Sequence, residues 1–185
     1  MAKAIFLDRD NTINYDPGYL GDPHKVKIFD GVIEVLKYFK EFHDFLIIII
    51  SNQAGIAKGF LTHEMVNSVN NKISDIFKEK SLLIDKFYYC PFHPEYNSEE
   101  ESSCRKPSPK MILEASKEFK IDLSISYIIG DSESDIEAGI SAGLNKNILY
   151  KYNLNDSEIK NIYTKADFCS NNYFQIKNYI LSQIL

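Results

Sequence analysis

A three-layer α/β sandwich, with a mostly parallel central sheet between two layers of helices, is the fold class this sequence predicts. Three observations carry that prediction. Short apolar runs alternate with segments of helical periodicity from end to end, the pattern of a parallel sheet whose crossovers are helices. The run Phe45–Ile50 is continuously apolar at strand length, as in a strand covered on both faces. No second set of strand and helix signals stands apart from the first, so residues 1–185 are read as a single domain.

The elements follow in order. Ala4–Leu7 reads as the first strand, and Val32–Phe42 as a helix with Val32, Val35, Leu36 and Phe39 on one face. After the strand Phe45–Ile50 comes a helix over Met65–Phe77, striped by Val66, Val69, Ile73, Ile76 and Phe77. Phe87–Tyr89 is a brief strand. The polar, acidic stretch Asn97–Ser103 reads as an exposed loop. Pro109–Phe119 is a helix capped at Ser108, with Pro in its first turn. Tyr127–Ile129 is a strand, Ser134–Ala142 a helix ended by Gly143, and Asn147–Tyr150 a further strand. Tyr173–Leu185 closes the chain as a helix.

Bulk properties narrow the function. With 44% hydrophobic and 25% charged residues the chain is globular in composition, not disordered. A net charge of -5 argues against a nucleic-acid partner, which wants a basic stripe. The 12 Tyr and 12 Phe show no interleaving with basic residues, so they read as core and rim. Phe45–Ile50 is too short to span a bilayer, so no membrane partner is expected. No secretion signal is read, so a cytoplasmic location is expected. Cys90, Cys104 and Cys169 do not form a disulfide framework; Cys169 reads as a core thiol. His24, His43 and His63 read as surface residues.

In open α/β sheets, ligands bind beyond the carboxyl ends of the strands. Polar clusters follow four strands here: Asp8/Asp10/Thr12, Ser51/Asn52/Gln53, Arg105/Lys106 and Asp131/Asp135. Each alone is what any chain leaving the core shows. Together they suit one chemistry. Carboxylates from two loops (Asp8, Asp10, Asp131) suit Mg²⁺, which takes oxygen ligands and usually also binds a substrate phosphate. The Ser51 hydroxyl and the Lys106 ammonium suit the remaining phosphoryl oxygens. One carboxylate can act as nucleophile, and the second, two residues on, can handle the leaving-group proton. Asp135 supports the site or caps the following helix.

The motif Asp8–Thr12 (DRDNT), Ser51, Lys106 and Gly130–Asp135 (GDSESD) resemble, in order, the four motifs of haloacid-dehalogenase-type phosphatases. Five longer stretches, FLDRDNTIN, DPGYL, SNQAGIAKG, FYYCPFHP and CRKPSPKMI, resemble the heptose-1,7-bisphosphate 7-phosphatase family and its histidinol-phosphatase relatives over nearly the whole chain. The resemblance implies a Rossmann-like sandwich without a large cap domain, working as a monomer on a small sugar bisphosphate. It implies Asp8 as nucleophile and Asp10 as general acid/base. Mg²⁺ would be held by Asp8, the backbone carbonyl of Asp10, and Asp131. Ser51 and Lys106 would grip the transferred phosphoryl. Asp16–Tyr19 and Ser51–Ala54, thus Asp16, Tyr19, Asn52, Gln53 and Ala54, would line the substrate, and Arg105 would read its second phosphate.

Three departures stand out. Asn11 replaces the family's Gly, a mild change because Asn tolerates the left-handed region. Ser132 stands where the bacterial heptose enzyme has Lys. Many relatives hold a structural zinc by a Cys-x-His and a Cys-x-Cys pair, but Phe92 replaces a ligand His and Ser102 a ligand Cys. Cys90, Cys104 and a shifted His93 supply at most three of the usual four ligands, so zinc is not expected. Cys90 and Cys104 then read as leftover thiols, with Phe92 packed in the metal's place.

The leading function is a Mg²⁺-dependent phosphatase acting on the C7 phosphate of a heptose 1,7-bisphosphate for surface polysaccharide. Histidinol-phosphate phosphatase is the nearest alternative; Glu99–Glu101 offer acid for an amine near Arg105. A non-catalytic phospho-aspartate switch is the alternative from another class, but it needs no acid at Asp10. A polynucleotide-end phosphatase is disfavoured by the negative charge.

Overall fold

The computed structural model describes residues 1–184. Six strands form one sheet: β1 (Lys3–Leu7), β2 (Phe45–Asn52), β3 (Lys86–Cys90), β4 (Tyr127–Gly130), β5 (Lys146–Tyr150) and β6 (Phe168–Ser170). Their spatial order is β3-β2-β1-β4-β5-β6, and every neighbouring pair is parallel. The helices are α1 (Val32–His43), α2 (His63–Glu79), α3 (Glu99–Ser102), α4 (Lys110–Phe119), α5 (Glu133–Ala142), α6 (Asp156–Lys160) and α7 (Tyr173–Ile184).

Alternation along the strands splits the core into two layers. From β1 and β2, Ile5, Leu7, Phe45, Ile47 and Ile49 face one side, against α1, α2 and α7 through residues such as Phe39, Phe77 and Ile176. Ala4, Phe6, Ile48 and Ile50 face the other, against Met111, Ile112 and Ala115 of α4 and Ala138 of α5. Both faces of these strands are dry, which is why their sequences are continuously apolar. The expected three-layer architecture is the observed one.

The strand order puts a switch point between β1 and β4. The chain moves outward from β1 through β2 to β3, then crosses back to lay β4 on the far side of β1. Leu7 is in register with both Ile49 and Ile129, so three strands end at nearly one level. A crevice opens beyond such a point because the connections leave in opposite directions.

Several expectations need correcting. Strand β6 and the short α6 were not anticipated, since Phe168–Ser170 has no apolar run of strand length. Cys169 lies on β6 and is half-buried, not a core thiol. Within the expected loop Asn97–Ser103, Glu99–Ser102 form one helical turn, stabilised by a reciprocal cap between Ser98 and Glu101. Helix α4 begins at Lys110 with Pro109 at the capping position, so Ser108 lies one residue outside it. Helix α2 is longer than expected, starting at His63 with the Thr62 hydroxyl accepting from the Met65 N–H. The closing helix was expected to reach Leu185, which lies outside the described residues.

The largest correction concerns the cysteines. Cys90 and Cys104 are joined in a disulfide, not left as free thiols. Cys90 ends β3 inside the core beneath α4, and Phe92 and Cys104 pack against the same cluster. The bond therefore ties the end of β3 to the residue before Arg105. The sequence separation of 14 gave no hint of it, because pairing depends on how the loop folds back.

Candidate active site

The crevice at the switch point is walled by acids from both sides. Asp8 follows β1 and Asp131 follows β4; the Asp8 N–H donates to the Ile129 carbonyl at 3.0 Å, fixing the two strand ends together. Asp135 comes from the first turn of α5, where its Oδ2 accepts from the Ser132 N–H (3.1 Å) and Oγ (2.7 Å). Asp135 thus both caps its helix and faces the site. Asp8, Asp131 and Asp135 each bring a carboxylate oxygen within 4.8 Å of the others, the one such cluster among the described residues. Gly130 is required here, since a Cβ on it would fall 2.3 Å from that of Asp135.

Lys106 enters this cluster from the opposite wall. Its ammonium lies 2.5 Å from Asp8 Oδ1 and 2.5 Å from Asp135 Oδ1, and donates to the Ile50 carbonyl at 2.8 Å. Asn52 holds the Lys106 backbone from both sides, its Oδ1 accepting from the Lys106 N–H (3.0 Å) and its Nδ2 donating to the Lys106 carbonyl (3.1 Å). Burial opposes the charge on Lys106, but Asp135 and Asp8 outweigh it and raise its affinity for the proton. The carboxylates feel the reverse. Burial raises the pKa of Asp8 well above the usual range, Lys106 opposes this, and Asp135, Asp131 and Asp10 add to it. Asp131 is pushed up to about 6, by burial first and then by Asp135, against Lys151 and Lys106. One ammonium does not neutralise three acids.

Asp10 has a different environment. Its Oδ1 accepts from Arg9 Nε (3.0 Å) and Asn14 Nδ2 (3.1 Å), and its Oδ2 from Arg9 Nη2 (2.8 Å) and Gln53 Nε2 (2.8 Å). Burial acts to raise its pKa, but the Arg9 charge and these hydrogen bonds prevail, and Asp10 is held below the usual carboxylate range. Arg9 itself is fully buried, with Nη1 donating to Asn70 of α2 at 2.9 Å. Gln53 also donates to Ser51 Oγ at 3.3 Å, so Asp10, Gln53 and Ser51 form one chain. The turn that carries Asp10 needs Asn11 at φ +59°, the left-handed position for which Asn is suited.

Two cavities meet at this point. The first, about 330 Å³, is lined by Asp8, Asp10, Asn52, Lys106, Asp131 and Asp135 among others. The second, about 250 Å³, lies over Asp16, Tyr19, Gln53, Ala54, Lys58 and His93. Asp10, Asn52 and Arg105 line both, so the two adjoin there. Arg105 is half-buried, and its buried Nη1 has no hydrogen-bond partner among the described residues. Asp16 turns inward to accept from the Gly18 and Leu20 N–H groups, both at 3.0 Å, and so shapes the loop bearing Tyr19.

The donor set fits a hard divalent cation. Oxygen ligands from clustered acids whose pKa values are raised by mutual repulsion are relieved when such a charge binds among them. Among the described residues, Asp131 has no ammonium bonded to its carboxylate; Asp135 has both oxygens engaged, Oδ1 by Lys106 and Oδ2 by its cap, whereas Lys106 touches Asp8 through Oδ1 alone. Asp8 and Asp131 are therefore the side chains best placed to hold Mg²⁺. The Asp10 carboxylate is not part of this cluster.

Sequence reasoning missed Arg9, Asn14, Asn70 and Lys151. Arg9 reads as a solvent residue by type, although its position between two acids was a usable signal. Lys151, in the connection after β5, donates to the Asp131 carbonyl at 2.5 Å, and Tyr173 of α7 donates to the Thr12 carbonyl at 2.9 Å. Neither contact has a local sequence signature.

Comparison with known proteins agrees with this geometry. The HAD-hydrolase-like family model matches residues 103–172. A D-glycero-beta-D-manno-heptose-1,7-bisphosphate 7-phosphatase of Haemophilus influenzae is 39% identical over 153 residues, covering 82% of this chain and 83% of that protein. A D-glycero-alpha-D-manno-heptose-1,7-bisphosphate 7-phosphatase of Burkholderia mallei is 39% identical over 150 residues, covering 80% and 79%. The crystal structure of D,D-heptose 1,7-bisphosphate phosphatase from B. bronchiseptica, complexed with magnesium and phosphate, superposes with a TM-score of 0.81 over 98% of this chain and 99% of that one, at 21% identity. The paired acids at a β1/β4 switch point, the lysine between them and these relatives lead to one assignment: the chain belongs to the heptose-1,7-bisphosphate 7-phosphatase family of haloacid-dehalogenase-like phosphatases.

Proposed function

We propose that this chain removes the C7 phosphate of D-glycero-D-manno-heptose 1,7-bisphosphate through an aspartyl-phosphate on Asp8. The observation that carries the reading is Lys106, whose ammonium touches Asp8 and Asp135 in a cavity whose other wall bears the Arg9-bound Asp10. A phosphoryl group seated there meets a nucleophile, a cation and a proton carrier together.

In the first half-reaction a carboxylate oxygen of Asp8 attacks phosphorus and the C7 oxygen leaves. Asp10 gives that oxygen its proton. Arg9 keeps Asp10 ionised in the resting site, but a phosphoryl group beside it is a like charge that raises its affinity for a proton. In the second half-reaction Asp10 takes a proton from water, which attacks the acyl-phosphate and frees Asp8. Lys106 Nζ and Ser51 Oγ hold phosphoryl oxygens throughout. Mg²⁺ at Asp8, Asp131 and the Asp10 carbonyl would supply the positive charge that keeps the acids ionised and polarises the phosphoryl oxygens.

The second cavity is the place for the remainder of the sugar, with Arg105 meeting the non-reacting phosphate. Glu99 and Glu100 of α3 are exposed, and neither lines either cavity. That favours a phosphate over the amine of histidinol phosphate. The relatives include both anomeric types, so the preferred anomer is a matter for experiment. The test is phosphate release from both heptose bisphosphate anomers and from histidinol phosphate, with Mg²⁺ and with chelator. Release from either bisphosphate exceeding that from histidinol phosphate, and lost with chelator, is the expected result. Equal or greater release from histidinol phosphate overturns the substrate.

A further inference from the structure

The second cavity holds more positive charge than Arg105 alone. Lys58 projects from the turn after β2, which is closed by backbone bonds from the Lys58 N–H to the Ala54 carbonyl (3.0 Å) and from the Phe60 and Leu61 N–H groups to the Gly55 carbonyl (2.8 and 3.0 Å). Its ammonium lies 5.9 Å from the Tyr19 ring centroid. Among the described residues, neither Lys58 nor Arg105 has a carboxylate within 4.0 Å. The two nearby acids of the lining are engaged elsewhere, Asp16 by its own loop and Asp10 by Arg9. His93 accepts the Glu95 N–H at Nδ1 (3.3 Å), which leaves Nε2–H as a further donor.

Position separates the roles of the two cations. Arg105 lines both cavities and stands at their junction, whereas Lys58 lines only the second. A ligand with one phosphoryl group at Asp8 and Lys106 reaches Lys58 only if it carries a second anionic group beyond the junction. Burying an arginine nitrogen without a partner is costly, and among the described residues Arg105 Nη1 has none, so it is available to an anionic ligand.

We infer that Lys58 is a specificity-determining residue: together with Arg105 it clamps the non-reacting phosphate of a sugar bisphosphate and so selects bisphosphates over monophosphates. This rests on the function proposed above and extends it to a residue that lies within the SNQAGIAKG stretch but has no role assigned there. A cation at that end acts on binding of the far group and leaves the chemistry at phosphorus to Asp8 and Asp10, so its loss falls on KM more than on kcat.

The experiment compares wild type, Lys58→Gln and Lys58→Arg on heptose 1,7-bisphosphate and on heptose 7-phosphate, with thermal melts as a folding control. In Lys58→Gln, kcat/KM for the bisphosphate should fall roughly fivefold further than for the monophosphate, the scale of a charge-assisted contact screened by solvent. The difference should sit in KM, and Lys58→Arg should restore most of it. If wild type prefers the bisphosphate but Lys58→Gln loses equally on both substrates, the role of Lys58 is refuted while the substrate reading stands. If wild type shows no preference for the bisphosphate, both fall together.

Discussion

Replacing Arg9 by Leu tests what holds Asp10 ionised in the folded site. Arg9 is fully buried and makes two hydrogen bonds to Asp10, at 3.0 and 2.8 Å, and one to Asn70 at 2.9 Å. Without it Asp10 keeps only Gln53 and Asn14 as donors and no opposite charge. Breaking a buried ion pair from one side costs about 3–5 kcal/mol. The Asp10 side chain retains 20% exposure and two donors, which favours the lower figure, about 3 kcal/mol. For a chain of this length that is roughly 6–12 °C in Tm.

The pH dependence identifies the cause. In wild type the pKa of Asp10 is lowered by folding, so its contribution is present above the unfolded pKa, about 3.9, and is lost as pH falls through the folded value. In Arg9→Leu burial prevails and the folded pKa rises. The penalty is then full at neutral pH and fades as pH falls toward the unfolded value. Melts with chelator at pH 7.5 and pH 5 should show the gap between variant and wild type narrowing on acidification. Arg9→Leu/Asp10→Asn, with no charge to strand, should recover much of the loss. A gap that stays constant with pH, or a double variant no better than the single one, would refute the electrostatic account and leave only packing.

Three other substitutions probe different parts of the molecule. Asp10→Asn should lower turnover by about 10²–10⁴-fold, the usual worth of a general acid/base, in a steady-state phosphate-release assay; retained turnover would refute the acid/base role of Asp10. Gly130→Ala puts a Cβ 2.3 Å from that of Asp135, so it should cost about 1–3 kcal/mol by overpacking and depress activity by displacing Asp135 from Lys106. A melt with normal stability and a full activity assay would contradict that. Cys104→Ser opens a loop of sequence separation 14 and should lower stability by about 3 kcal/mol, with a rise in KM through the adjacent Arg105. Wild type in strong reductant should behave like the variant, and a wild type indifferent to reductant would show that the disulfide does not hold the loop.

Local pattern and tertiary structure contributed differently to this protein. Periodicity sufficed for β1, β2, α1 and α2, because a strand covered on both faces and a helix covered on one must carry their burial in consecutive residues. It also located Asp8, Asp131, Lys106 and Asp135, since each follows a strand or lies in a recognisable motif. It missed β6, three residues long and held mainly by pairing with β5. Reading residue types also misjudged Arg9, because burial of a guanidinium becomes tolerable only when Asp10 and Asn70 converge on it from elsewhere in the fold. The Cys90–Cys104 bond, the Lys151 contact to Asp131 and the meeting of two cavities at Arg105 likewise come from chain segments far apart in sequence. Pattern along the chain sets which residues must be buried or kept polar; which charges meet, and hence which acids hold their protons, depends on distances that only the closed sheet and its loops define.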